Sequence, residues 1–113
     1  MMRTIILSPD WNAVLFWHEA SNRKPADETA LALSDELRRE MRVYYESFAE
    51  LFLRGLPGTA DATELRLLDE RGVLLWQRLQ KELADYRITF YSHELQDEFE
   101  TLNVFRIAQQ AAR

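Results

Sequence analysis

An apolar stripe within residues 34–54 constrains this chain more than any other stretch. Leu37, Met41, Tyr44, Tyr45, Phe48 and Phe52 recur at spacings of three and four residues, which places them on one face of a helix. Ser34 stands at the N-cap position, and Asp35 and Glu36 lie beside the positive end of the helix dipole. Gly55 and Pro57 stop the element. A face that carries so many rings must be covered by the rest of the chain.

Residues 55–59 (Gly-Leu-Pro-Gly-Thr) are the clearest break, and five residues suit a connection between antiparallel helices. A second helix is expected from about residue 63 to residue 84, with Leu65, Leu68, Gly72, Leu75, Leu79 and Leu83 on its apolar stripe. Gly72 costs about 1 kcal/mol there relative to Ala. Its position predicts a close approach, with a Tyr or Phe of the first helix lying over the missing side chain. Charge pairs at four-residue spacing, Asp35/Arg39, Glu50/Arg54, Arg66/Glu70 and Arg78/Glu82, read as decoration of the solvated faces.

The strands are shorter. Residues 4–7 are β-branched and apolar and end in Ser8-Pro9-Asp10, which reads as a first strand and a turn. Residues 11–18 put Trp11, Leu15 and Trp17 on one face and Val14, Phe16 and His18 on the other, so a strand there would be covered on both sides. Residues 19–33 are polar and turn-forming, with Leu31 and Leu33 tying the approach to the first helix onto the core. Residues 86–91 alternate Tyr86, Ile88 and Phe90 with Arg87, Thr89 and Tyr91 and form the best strand. Ser92-His93-Glu94-Leu95 repeats the form of Ser34-Asp35-Glu36-Leu37, so a third, Ser-capped helix is expected there. It would run on through Leu95, Phe99, Leu102 and Phe105 into a frayed tail from about Ala108. The class is α+β: one domain, residues 1–113, with a small sheet of two to three strands against an antiparallel helical hairpin and a short C-terminal helix. The first strand and residues 86–91 are the natural neighbours in that sheet.

Charge and composition narrow the partners. With 14 basic and 19 acidic residues the chain carries a net −5, which argues against a nucleic-acid partner. No stretch is long and apolar enough for a signal peptide or a membrane span. The absence of cysteine removes thiol chemistry and fits a reducing intracellular compartment and export equally; the cytoplasm is the expected location. Neither His18-Glu19 nor His93-Glu94 extends to His-Glu-x-x-His, and no phosphate loop or nucleophile motif is present. No cofactor, metal or catalytic set is therefore expected. Two histidines brought together by folding with nearby carboxylates would still make a small enzyme or metal site, the alternative reading.

Two surfaces are candidates for a protein partner. One is aromatic: Trp11, Phe16 and Trp17, which would either close the core or form a partner-facing or self-associating patch, the latter making a homodimer. The other is the acidic stretch 93–100, which reads either as a solvated helix N-terminus without a function or as a recognition surface, with Tyr91 or Phe99 anchoring and Glu94, Asp97, Glu98 and Glu100 attracting a basic partner.

The strand at residues 4–7, Leu15-Phe16-Trp17, Leu33-Ser34-Asp35-Glu36-Leu37, Asp69-Glu70-Arg71-Gly72 and Leu79…Glu82-Leu83 before a Tyr-rich strand resemble a group of small uncharacterised bacterial α+β proteins over residues 3–91. In size, acidity and build the chain is also similar to immunity proteins that neutralise bacterial contact-dependent toxins. That resemblance implies a non-enzymatic binding protein whose partner is a toxin domain, a basic one if the acidic stretch meets it. It implies no catalytic residues.

Overall fold

The first helix sets the frame. In the computed structural model, which describes residues 3–10, 13–18, 23–26, 28–52 and 61–112, it runs Asp35–Phe52 (α1) and buries Leu37, Met41, Tyr44 and Phe48. Ser34 caps it as its position requires: its Oγ accepts from Leu37 N at 3.2 Å. The second helix, Ala62–Glu82 (α2), starts at an Asp61 capping box closed by Glu64 and buries Leu68, Gly72, Leu75 and Leu79. Leu65 is only half-buried, whereas Asp69, Val73 and Trp76 lie in the core.

Contacts between the two helices run in opposite directions. Ser34 bonds Glu82, Arg78 meets Glu36 and Glu40, and Arg71 donates to Ser47. The connection expected at residues 55–59 lies outside the described residues. Both members of one expected surface pair, Arg78/Glu82, take other partners. Arg78 bridges to α1 rather than to Glu82, and Glu82 instead accepts from the Ser34 amide and hydroxyl at 3.0 Å each. Four-residue spacing on one helix could not reveal a neighbour on another.

Gly72 is the contact point its stripe position predicts. A Cβ built there would lie 2.6 Å from Phe90 Cε1 and 2.8 Å from the Tyr44 hydroxyl. Tyr44 belongs to α1, so the first helix does reach Gly72 through its hydroxyl, but the ring that lies nearest is that of Phe90 on the sheet.

The sheet is larger than expected. Five strands, Arg3–Leu7 (β1), Leu15–His18 (β2), Arg23–Pro25 (β3), Tyr86–Ser92 (β4) and Asp97–Phe99 (β5), line up in the order β3-β2-β1-β4-β5. β1 and β4 pair in parallel as central neighbours, and the other pairs are antiparallel. β3 and β5 are three residues each, too short for an alternation to register in sequence. Of the described residues 13–18 only Leu15–His18 (β2) are strand; Ala13 and Val14 are not, and Trp11 lies outside the described residues.

Register sorts the side chains by face. Ile5, Leu7, Leu15, Ile88, Phe90 and Phe99 join the helices in one core. Trp76 stacks on Phe90 with centroids 5.2 Å apart and donates its indole N–H to Ile88 O at 2.8 Å. Leu31 and Leu33 are buried, as the sequence implies. On the opposite face Ile6 pairs with Phe16 and Thr89, and all three are buried there too.

The C-terminal part departs most from expectation. Ser92 does cap a turn, its Oγ accepting from Leu95 N at 2.9 Å, but Gln96 adopts φ 55° and the chain reverses into β5 instead of continuing as helix. The third helix (α3) is Leu102–Ala112, capped by Thr101 Oγ1 accepting from Val104 N at 3.2 Å. Residues 108–112, read from sequence as tail, are its last turns, and Gln109 is buried. Phe105 of α3 sits 5.4 Å from Phe90 and 5.3 Å from Phe99, ring to ring. Those apolar contacts decide the hairpin over the continuous helix: pairing β5 with β4 delivers Phe99 to the core beside Phe105.

Candidate functional site

The acidic stretch is built around a buried carboxylate. Asp69 projects from α2 into the core and accepts three hydrogen bonds from the chain leaving β4: Ser92 Oγ at 2.5 Å, His93 N at 2.9 Å and Glu94 N at 3.3 Å. One turn earlier on α2, Arg66 bonds Glu94 at 2.9 Å; beside Asp69, Glu70 holds Arg106 of α3 through two contacts of 2.5 and 2.9 Å. The turn between β4 and β5 is thus fixed from α2. Burial pushes the Asp69 pKa up, and the three hydrogen bonds pull it back. Its environment is that of an acceptor for backbone and hydroxyl donors, not of a solvated helix face.

The two histidines have separate surroundings. His18 Nε2 stands 3.3 Å from Glu98 Oε2, although β1 and β4 lie between their strands. That contact draws β2 and β5 together over the face that carries Ile6, Phe16 and Thr89. His93 sits among Phe48, Phe52 and Tyr91, at ring distances of 5.5, 5.6 and 5.1 Å. Burial in that apolar cage pushes its pKa down to about 4. Among the described residues no group of three or more His, Cys, Asp or Glu is arranged to hold a metal ion.

Of the aromatic candidates, Phe16 and Phe99 are buried and have no surface to offer. Trp17 is half-buried, with the Arg3 guanidinium 3.7 Å from its ring centroid and Tyr86 at 5.8 Å. Trp11 lies outside the described residues. Of the acids, Asp97 and Glu100 are exposed, Glu98 and Glu94 half-buried, the latter held by Arg66. Tyr91, half-buried, pairs across the ladder with Glu98. Tyr91, Asp97, Glu98 and Glu100 are therefore brought to one edge of the sheet, on β4, β5 and the residue after it.

Asp69 escaped the sequence reading, yet a signal was there. It lies three residues before Gly72, four before Val73 and seven before Trp76, all on the buried stripe. An acid at such spacing has to find donors inside the fold.

Comparison with known proteins adds a family. Residues 3–93 match a protein-family model described as Serratia CdiI immunity protein-like. The matched stretch holds α1, α2 and strands β1 to β4 and ends inside the turn that Asp69 fixes; β5 and α3 lie beyond it. No curated protein and no solved structure matches the chain. With residues 3–93 of 113 matched, the chain belongs to the Serratia CdiI immunity protein-like family.

Proposed function

We propose that this member of the family is itself a non-enzymatic inhibitor that binds a bacterial toxin domain in the cytoplasm. The observation that carries the reading is the family match over residues 3–93. Among the described residues no helix is long and apolar enough to cross a membrane, which fits a protein partner rather than a lipid one. The sheet edge formed by Tyr91, Asp97, Glu98 and Glu100 supports a basic toxin domain as the partner. Its exposed acids would speed encounter with a positive surface, and the Tyr91 ring would add contact area. The buried Asp69 and the Arg66 bridge hold that edge in place before any partner arrives.

The test is co-expression with the toxin encoded beside the gene. Asp97→Lys with Glu100→Lys changes exposed charges and leaves the His18–Glu98 pair alone. Surface changes cost under about 0.5 kcal/mol each, so the melting temperature should hold within a few degrees. Partner capture at low salt should slow at least tenfold and protection of toxin-expressing cells should be lost. Full protection by this double variant would remove the acidic edge from the interface, and a toxin that never binds the parent chain would sink the inhibitor reading itself.

A further inference from the structure

On the solvent side α1 and α2 part to leave a groove of about 760 Å³. Two arginines cross it: Arg78 reaches Glu36 and Glu40 at one end, and Arg71 reaches Ser47 Oγ at 3.3 Å further along. Between those crossbars the groove is apolar and unfilled. Leu74 is 66% exposed and Val43 49%, with Leu67 at 61% two turns back along α2. Leu74 and Val43 line this groove and leave apolar surface in it open to solvent, whereas Leu67 lines the depression beside it.

The charge of this groove runs against that of the chain: Arg71, Arg78 and Lys81 line it against one acid, Glu40. Among the described residues Arg71 bonds a hydroxyl and no carboxylate, and Lys81 has neither, although acids outnumber bases 19 to 14. Arg71 and Lys81 are ten residues apart, about 15 Å along the helix axis, and both line the groove. Desolvating Leu74 and Val43 would also exclude water from the two cations, where carboxylates gain most.

We infer that the α1–α2 groove is a docking site for an amphipathic segment of a protein partner, with apolar side chains on Val43 and Leu74 and carboxylates facing Arg71 and Lys81. A helix of two to three turns spans the distance between the two cations. The site lies on the helical layer and is independent of the acidic sheet edge, so it goes beyond the toxin reading and does not rest on it.

The experiment titrates the isotope-labelled full chain with a synthetic 15-residue helical peptide that carries a leucine stripe flanked by glutamates. The control peptide has lysine at every glutamate. The expected result is saturable amide shifts centred on Val43, Arg71, Leu74 and Lys81, with the lysine peptide at least tenfold weaker. Arg71→Glu with Lys81→Glu should reverse that preference. Leu74→Asp, at an exposed position, should abolish binding without lowering the melting temperature. Equal affinity for the two peptides, shifts centred on Val104 and Ile107 of α3, or no saturable binding would each overturn the proposal. So would self-association that Leu74→Asp removes, since a second copy would then be the occupant. None of these results touches the co-expression assay, which reads the sheet edge at β5.

Discussion

Replacing Gly72 with Ala puts the packing of the whole core to a quantitative test. Helix propensity alone favours Ala by about 1 kcal/mol. Against it stands the geometry: the new Cβ would lie 2.6 Å from Phe90 Cε1, where ordinary contact is 3.4–4 Å. The Phe90 ring would have to retreat by about 1 Å, and it has little room. It is fully buried, stacked on Trp76 at 5.2 Å and met edge-on by Phe105 at 5.4 Å. Overpacking of a filled core costs roughly 1–3 kcal/mol, so the alanine variant should be less stable by about 1 kcal/mol net. For a domain of this size that is a fall of roughly 4 °C in melting temperature. Gly72→Leu, which adds three more carbons to the same contact, should lose about 3 kcal/mol or more. Urea melts give the answer directly: the midpoint should drop while the slope stays that of the parent. A Phe90→Leu background should relieve the alanine penalty by more than about 0.5 kcal/mol, the signature of residues in contact. An alanine variant as stable as the parent would refute the reasoning, because the rings would then have to yield at no cost.

Two further outcomes follow from the turn between β4 and β5. His93 is held neutral well below its ordinary pKa of 6.5, so the unfolded chain takes up a proton first as pH falls. Stability should therefore be unaffected above about pH 6.5 and drop by up to about 3 kcal/mol between there and about pH 4; His93→Phe should flatten that slope in urea melts run across the range, and an unchanged slope would mean the cage admits the charged ring. Asp69 acts with the opposite sign, since its raised pKa makes the folded form the better proton acceptor and its contribution weakens as pH rises above the ordinary carboxylate value. Asp69→Ala strands the Ser92 hydroxyl and two amides and should cost about 2–4 kcal/mol, with hydrogen exchange at His93 and Glu94 rising before any other part of the sheet; uniform acceleration across the chain would show that Asp69 does not act through this turn.

What the sequence disclosed and what it withheld divide along physical lines. The aromatic stripe of α1, the Ser34 cap, the β1–β4 pairing and the Gly72 contact were legible because each rests on local periodicity or on one residue type in one position. Strands β3 and β5 were not, since three residues cannot display an alternation. The Ser92 cap misled for a subtler reason. Its local chemistry is that of a helix start, and its Oγ does accept from Leu95 N. Only contacts far along the chain, Asp69 to the turn and Phe99 to Phe105, make the reversal at Gln96 the better solution. For the same reason the surface pairs on α2 were misassigned, because Arg78 answers to α1 and Glu70 to α3.

The candidate site shows how such long-range contacts bear on function. Burying a carboxylate is costly unless its lone pairs are satisfied, and Asp69 meets that condition with three donors from a single four-residue turn. The alternative, an apolar residue at position 69, would keep α2 in the core and leave the turn free to move. A surface whose side chains are ordered in advance loses less conformational entropy when a partner docks. Asp97 directly follows the turn that Asp69 fixes and Glu100 follows the short strand after it, so a free turn would blur their positions relative to the sheet. On this view the buried acid and the exposed acids belong to one device. Asp69 then matters to binding in proportion to how firmly it holds the edge, and a conservative Asp69→Asn, which keeps part of the acceptor set, should weaken partner capture more than its modest loss of stability accounts for.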